Sequence, residues 1–446
     1  MRKEVVGGLS METFSCVQQR SCTRAGLLGG GLLAVFTSIL FHATLMAQTF
    51  VSGSTGADGA FNPTASVTIP LPPNGIFNYT TVNIPSNVDV TFTRNEANTP
   101  VTILATGDVT IAGSITVSGS AAVGGVAGRG GPGGFDGGMG GTGFGSSPNG
   151  TPGLGPGGGQ GGVAAAGTAP GSASGGGFGT QGTANGAAVP GGQIYGVHTV
   201  FPLIGGSGGG GGAGGPTSSG PAGGGGGGAI LIASSGTITM NVSFVQRGIY
   251  AQGGSGVLKG VGLAQNVASG CASGGAIRLI ANSVVTNGAQ LDVRSICAAG
   301  TFAGGFGRVR IETFQLTGNF SVLGGAPFSQ ALPQKVLPDN ASPSVRIVSI
   351  GGAGVPATPQ ATYFNVPDVT LNPTLANPIT VALQANNVPL GTALAISVVT
   401  EGVATRTTFN STPLAGTLAA STATASVTLP PGTSVLTATA TFVAAP

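Results

Sequence analysis

The chain is long, rich in glycine and almost uncharged. It has 446 residues, of which 86 are glycine and 6% are charged, and its net charge is +3. An ordinary globular protein has roughly 25% charged residues and about 7% glycine. No stretch of the sequence is a basic run, so composition excludes an electrostatic surface for nucleic acid or an anionic membrane.

Residues 1–47 have the organisation of an export signal. Arg20 and Arg24 precede an apolar run, 25–47, which ends in the small residue Ala47. This order is typical of a secretory signal peptide, so we expect cleavage near Ala47 and a secreted or cell-surface protein. An uncleaved transmembrane anchor is the alternative, because the run is nearly long enough to span a bilayer. Beyond this leader we expect no membrane contact.

A polar lead-in at 48–75 is followed by short strands at 76–117. Segment 88–93 alternates apolar and polar residues, and small turns such as 106–108 separate the segments after it. Short alternating strands with small turns predict all-β structure. We assign 76–117 to the first coils of a parallel β-helix.

Residues 118–228 form a glycine-rich region. Glycine tracts such as 208–212 recur with Pro, Ala and Ser between them. A disordered linker is one interpretation. The other is a set of polyproline II segments packed on the flank of the helix, because glycine lets backbones approach closely. The sequence leaves both open, and the lack of a strict Gly-X-Y period excludes collagen.

A divergent repeat marks residues 229–325. Its copies are 228–239, 275–286 and 305–317, and 101–111 is an earlier one. Three short strands cannot bury their own apolar side, so each unit must stack on another copy. The pattern predicts parallel β-helix coils with Val, Ile and Leu inside; a β-sandwich is the alternative.

The C-terminal part has a different composition and residue pattern. Residues 326–343 are a Pro-rich linker, and about seven short alternating strands follow in 344–446. This pattern predicts an immunoglobulin-like β-sandwich, although the Cys-Trp-Cys hallmark is absent.

Cys271 and Cys297 are the cysteines outside the leader, and they are about one repeat apart. An even pair in an oxidising compartment predicts a disulfide between neighbouring coils, with two buried free thiols as the alternative. His198 is the single histidine after the leader, so we predict no metal site.

The repeat Gly-Gly-Gly-Ala-Ile-Leu-Ile-Ala-Ser-Ser-Gly-Thr-Ile-Thr at 226–239, with its echo at 274–286, resembles glycine-rich exported bacterial proteins of the pectin-lyase-like β-helix class. The resemblance covers residues 76–325. It implies a right-handed coil and a cell-surface or extracellular setting. Many members of this class have no known activity, so it implies a fold more than a function.

Candidate catalytic groups are sparse. Enzymes on this fold use clustered carboxylates, but no two acidic residues after the leader lie within a few residues of each other. Asp292 and Glu312 are the one acidic pair that we expect stacking to place on neighbouring coils. The basic residues expected near them are Arg278, Arg294, Arg308 and Arg310. We interpret this set as a surface salt-bridge ladder and predict no catalytic residues and no cofactor.

These features predict an exported structural or adhesive surface protein without catalytic activity. Its partner would be a polysaccharide, a cell-envelope surface or a second copy of itself. A carbohydrate-active enzyme is one alternative. A polysaccharide- or ice-binding module is another, since outward threonines recur irregularly at Thr110, Thr116, Thr237, Thr239 and Thr286.

Overall fold

The computed structural model describes residues 2–7, 11–12, 49–142, 149–164, 171–215, 218–241, 247–261, 265–339 and 342–442. Apart from one short 3-10 turn at Leu323–Gly325, the regular elements of these residues are strands. The protein is therefore all-β, as predicted. No helix within the described ranges is long and apolar enough to span a membrane.

Two short strands belong to the predicted leader, β1 (Arg2–Gly7) and β2 (Met11–Glu12). Strand β1 pairs in parallel with the C-terminal strand Ser434–Thr439. Residues 13–48, with the apolar run and Ala47, lie outside the described residues. Cleavage of residues 1–47 therefore stays a prediction.

Thirteen strands of the described chain form one sheet whose pairings are all parallel. They are β3 (Ala60–Phe61), β4 (Val67–Pro70), β5 (Ile76–Tyr79), β6 (Thr81–Ile84), β7 (Asp89–Thr93), β8 (Val101–Ala105), β9 (Val109–Ile111), β10 (Ser114–Thr116), β11 (Ala229–Asn241), β12 (Gly248–Tyr250), β15 (Ala276–Asp292), β16 (Arg308–Val322) and β17 (Phe328–Ala331). A separate antiparallel hairpin lies between β12 and β15, formed by β13 (Leu258–Val261) and β14 (Gln265–Ala268).

The parallel pairs run in three tracks. The first joins β5, β8, the starts of β11, β15 and β16, and β17. The second joins β3, β6, β9, the end of β11 and the middles of β15 and β16. The third joins β4, β7, β10, β12 and the ends of β15 and β16. Successive copies of the repeat thus lie side by side in register, which is compatible with a β-helix.

Inward side chains form apolar columns across the parallel strands. In the first track Ile103, Ile232, Leu279 and Ile311 are in register. Each is at most 2% exposed, and they belong to one continuous core. Side chains at one position of adjacent strands contact each other directly, so the core is built from repeat-to-repeat contacts.

The parallel sheet extends beyond the predicted coil boundaries at both ends. The lead-in 48–75 supplies β3 and β4, whose Val67 and Ile69 pack against the core. The Pro-rich segment 326–343 supplies β17, and its Val336 and Leu337 cover the outside of the first track. This segment is therefore packed against the parallel sheet.

The described parts of the glycine-rich region are ordered by backbone hydrogen bonds. Segment 205–213 lies at its centre. Its amides at 206, 209 and 212 donate to carbonyl oxygens in 221–227. Those at 205, 208 and 211 donate to carbonyl oxygens of Gly133 and of 151–154. Those at 210 and 213 donate to carbonyl oxygens in 171–174. Every third amide faces the same neighbour, which is the periodicity of a polyproline II chain. Of the two expectations for this region, the structure has packed segments.

Glycine is required where these segments touch. A Cβ on Gly209 would lie 2.1 Å from the carbonyl oxygen of Gly270, and one on Gly210 would lie 2.0 Å from that of Gln160. Both distances are far below van der Waals contact. These contacts can therefore form only because Gly209 and Gly210 carry no side chain.

The C-terminal part is mostly antiparallel. Its strands are β18 (Ser344–Ile350), β19 (Ala353–Gly354), β20 (Val369–Thr370), β21 (Ile379–Asn386), β22 (Ala393–Thr400), β23 (Thr407–Pro413), β24 (Ala415–Thr417), β25 (Ala420–Val427), β26 (Ser434–Thr439) and β27 (Thr441–Phe442). In β25, odd-numbered residues from Ser421 to Val427 are buried and the alternate ones are exposed. The inward residues share one apolar core.

Candidate functional site

Three ionisable side chains are buried together on the outer side of the first track. Arg278 on β15 lies in register with Arg310 on β16, and Glu312 follows two residues later on the same side of β16. Their side chains are 2%, 4% and 0% exposed. The strand period of two places Arg310 and Glu312 on one face, and register adds Arg278.

The Glu312 carboxylate is fully engaged. Its Oε1 accepts from the Nε atoms of Arg278 and Arg310, at 3.1 and 2.6 Å. Its Oε2 accepts from Arg278 Nη2 at 3.1 Å and from the Gln334 amide at 2.9 Å. Four donors occupy the four acceptor positions of a carboxylate. These hydrogen bonds fix the Glu312 carboxylate between β15, β16 and the segment that contains Gln334.

Arg278 joins the cluster to the segment that covers it. Its Nη2 donates to the carbonyl oxygen of Lys335 at 2.7 Å, and its Nη1 donates to that of Val336 at 3.4 Å. Burial lowers the pKa of the Arg278 guanidinium, and the nearby Glu312 carboxylate opposes this change. The arginine thus ties β15 to segment 334–338, which lies over it.

A cavity of about 580 Å³ lies beside this cluster. Arg278 and Arg310 line it, together with residues from the segments 197–202, 329–331, 334–338 and 342–343. The Arg310 Nη1 donates to Ser329 Oγ at 3.2 Å, and Ser329 Oγ donates to the carbonyl oxygen of His198 at 2.6 Å. A second cavity, of about 400 Å³, lies between the glycine-rich region and β18.

Asp292 does not join Glu312. It ends β15 on the third track, where its carboxylate accepts from Arg294 Nε and Nη2 at 3.0 and 2.8 Å and from the side chain of Gln252. Burial opposes ionisation of Asp292, but the hydrogen bonds from Arg294 and Gln252 lower its pKa below its ordinary value.

The predicted six-residue constellation is therefore wrong in its geometry. Arg278, Arg310 and Glu312 meet, Asp292 and Arg294 form a separate pair, and Arg308 donates to the carbonyl oxygen of Tyr195. Asp292 lies on the third track, whereas Glu312 lies on the first, so stacking of the coils does not bring them together. The cluster is also buried, whereas a surface ladder was expected.

Cys271 and Cys297 form a disulfide, with Cα atoms 5.8 Å apart. The Cys271 amide donates to the carbonyl oxygen of Phe302, and the Gly270 amide donates to that of Gly210 in the glycine bundle. The bond thus joins the bundle to the loop that follows β15.

Two charged residues that the sequence analysis missed lie between the glycine-rich region and the C-terminal part. The Asp136 carboxylate is 2% exposed, pairs with Arg94 at 2.6 Å and accepts from Thr362 Oγ1 at 2.6 Å. Arg406 donates to the carbonyl oxygens of Gly153 and Pro156. Burial lowers the pKa of Arg406 to about 10. Asp136 is the single acidic residue in 118–228. An isolated charge in a glycine-rich segment indicates a structural partner, and this pattern could have identified Asp136 from the sequence.

The outer side of the second track carries small uncharged polar side chains. We call it the threonine–asparagine face. One column in register is Asn83, Thr110, Thr239, Val285 and Thr317, and a second is Asn241, Asn287 and Asn319. The Asn287 amide donates to Asn241 Oδ1 at 3.2 Å. Of the threonines singled out by sequence, Thr110 and Thr239 lie in this column, whereas Thr286 is buried.

Among the described residues, no group of three or more His, Cys, Asp or Glu side chains is arranged to hold a metal ion. No protein-family model matches the chain, and comparisons with curated proteins and with solved structures find no significant similarity.

Proposed function

We propose that this protein is an exported structural or adhesive surface protein. In this proposal the parallel sheet is a β-helix of stacked coils, the glycine-rich bundle packs against it, and the C-terminal strands form an immunoglobulin-like sandwich. The protein binds a neutral polysaccharide or cell-envelope surface and catalyses no reaction on it.

The threonine–asparagine face is the observation that carries the proposal. Apart from Val285, its side chains are hydroxyls and amides repeated on adjacent strands, and neighbouring strands are about 4.8 Å apart. Such an array offers a polymer many equivalent hydrogen-bonding positions without attracting ions. Val285 interrupts the threonine column, which favours a hydrated, irregular ligand over the ordered lattice of ice.

The positions of the carboxylates support a role without catalysis. Glu312 has four hydrogen-bond donors, Asp292 is paired with Arg294, and Asp136 is paired with Arg94. Acid–base cleavage of a glycosidic bond requires two carboxyl groups facing one substrate. In the described chain the most buried carboxylates instead hold neighbouring segments together.

A glycan array with the secreted protein tests the proposal, followed by an assay for new reducing ends on every glycan that binds. We expect binding to uncharged glycans without cleavage. Cleavage would contradict the structural role, and binding confined to anionic glycans would contradict the assignment of the neutral face.

A further inference from the structure

The 580 Å³ cavity is lined by apolar, uncharged polar and cationic residues. The apolar lining residues are Val197, Phe201, Pro202, Ala331, Pro338 and Pro343. The Phe201 ring also lies 5.4 Å from the Arg278 guanidinium carbon. A volume of this size is in the range of small-molecule sites in proteins, which are mostly apolar with a few fixed polar groups.

The charges around the cavity do not balance. Two guanidinium groups, Arg278 and Arg310, share the single Glu312 carboxylate. The ammonium group of Lys335, which also lines the cavity, pairs with Asp339 at 2.5 Å. The described residues that line the cavity include no Asp or Glu. One buried positive charge is left over, and a buried charge without a counter-ion is costly.

Arg310 is a cavity-lining residue whose guanidinium is held in place. Its Nε donates to Glu312 and its Nη1 donates to Ser329, so the guanidinium plane is fixed from two sides. A guanidinium has five N–H donors, so these two contacts leave three, and Arg310 is among the residues that line the cavity. A fixed planar fork of this kind recognises the two oxygens of a carboxylate.

We propose that this cavity binds a small carboxylic acid with an apolar body the size of a single ring. The carboxylate binds Arg310 and supplies the negative charge that the cluster lacks. The apolar body packs against Phe201 and the prolines. Two sources carry this chemistry: a free organic acid, and the C-terminus of a peptide that ends in an apolar residue. The site is separate from the threonine–asparagine face, so it does not depend on the adhesive function.

Titration calorimetry on the full-length protein tests the site with phenylacetate as the probe. Phenylacetamide has the same ring without the charge, and acetate has the charge without the ring. We expect phenylacetate to bind about tenfold more tightly than either. N-acetyl-glycyl-phenylalanine separates the two sources, because comparable affinity identifies a peptide C-terminus and much weaker affinity identifies a free acid.

Three variants locate the binding. Arg310→Gln is expected to weaken phenylacetate binding about tenfold or more. Arg346→Gln removes an exposed arginine from β18 and is expected to leave the affinity unchanged. Gln330→Trp fills the cavity from an exposed lining position, without altering the buried cluster, and is expected to abolish binding.

The proposal is overturned if phenylacetate does not bind at millimolar concentration, or if phenylacetamide binds as tightly. A folded Arg310→Gln protein with wild-type affinity overturns it as well. Should Arg310→Gln unfold, the Gln330→Trp variant decides, since unchanged affinity there places the ligand elsewhere.

Discussion

Asp136 and Thr362 are 226 residues apart, yet Thr362 Oγ1 donates to Asp136 Oδ2 at 2.6 Å. The same carboxylate pairs with Arg94, next to the parallel strands, and accepts from the Gly130 amide at 2.8 Å. One buried side chain thereby connects the parallel sheet, the glycine-rich region and the C-terminal part.

Asp136→Ala is expected to lower the free energy of unfolding by about 3–5 kcal/mol, because it leaves the partly buried Arg94 without its counter-ion. Urea denaturation of purified protein measures the change. Asp339→Asn is the control, since its pair with Lys335 is exposed and is worth about 0.5 kcal/mol or less. Equal effects of the two substitutions would show that Asp136 does not hold the parts together.

Gly210→Ala is expected to destabilise the protein by about 2–3 kcal/mol or more, because the added Cβ would lie 2.0 Å from the Gln160 carbonyl oxygen. Gly354→Ala is the matched control: no heavy atom lies within 4 Å of a Cβ at that position. We expect it to change stability by about 0.5 kcal/mol at most. Denaturation midpoints of the two variants that coincide would contradict close backbone packing in the glycine bundle.

Stability is expected to depend on pH through Asp292. Its pKa is below the ordinary value of 3.8 in the folded protein, so its ion pair stabilises the fold above that pH. This contribution is lost as pH falls through the folded-state pKa. Asp292→Asn should therefore cost about 1–3 kcal/mol at pH 7, and the difference from wild type should shrink below about pH 4.

Urea unfolding of wild type and Asp292→Asn across this pH range checks the prediction. Glu96→Gln, which alters an exposed carboxylate, provides the comparison. A difference between wild type and Asp292→Asn that is constant down to strongly acid pH would mean that the ion pair with Arg294 contributes nothing.

Reduction of the disulfide is expected to lower the free energy of unfolding by about 2–4 kcal/mol, given a sequence separation of 26 residues. Unfolding with and without reductant measures this loss. The double variant Cys271→Ser, Cys297→Ser should be insensitive to reductant. If wild type is equally insensitive, the disulfide is absent from the purified protein.

The parallel sheet was predictable because apolar residues recur at equivalent positions of successive repeats, and strands pair at these equivalent positions. Gly228–Ser235 and Gly275–Asn282 carry the same pattern, and their strands pair residue for residue from Ala229 with Ala276 to Ser234 with Ala281. The extension into β17 was not predictable from pattern alone. Its residues Phe328–Ala331 follow a proline and lie in a segment whose composition is typical of linkers.

The candidate site was predictable only in part. Arg278 and Arg310 were expected near Glu312, and the register of β15 and β16 brings these three residues together. Sequence spacing did not specify which of the three tracks each acidic residue occupies, so Asp292 was grouped with Glu312 wrongly. The burial of the cluster depends on segment 334–338, which carries no signal of where it packs.

The most direct measurement of the central claim compares the glycan affinity of two threonine variants. Thr317→Arg places a bulky charge on the threonine–asparagine face, and Thr422→Arg places the same group on an exposed position of β25. The probe is the neutral polysaccharide that gives the strongest array signal, and affinity electrophoresis measures retention. We predict that Thr317→Arg weakens binding about tenfold or more while Thr422→Arg retains wild-type affinity. Equal retention of the two variants would contradict the account.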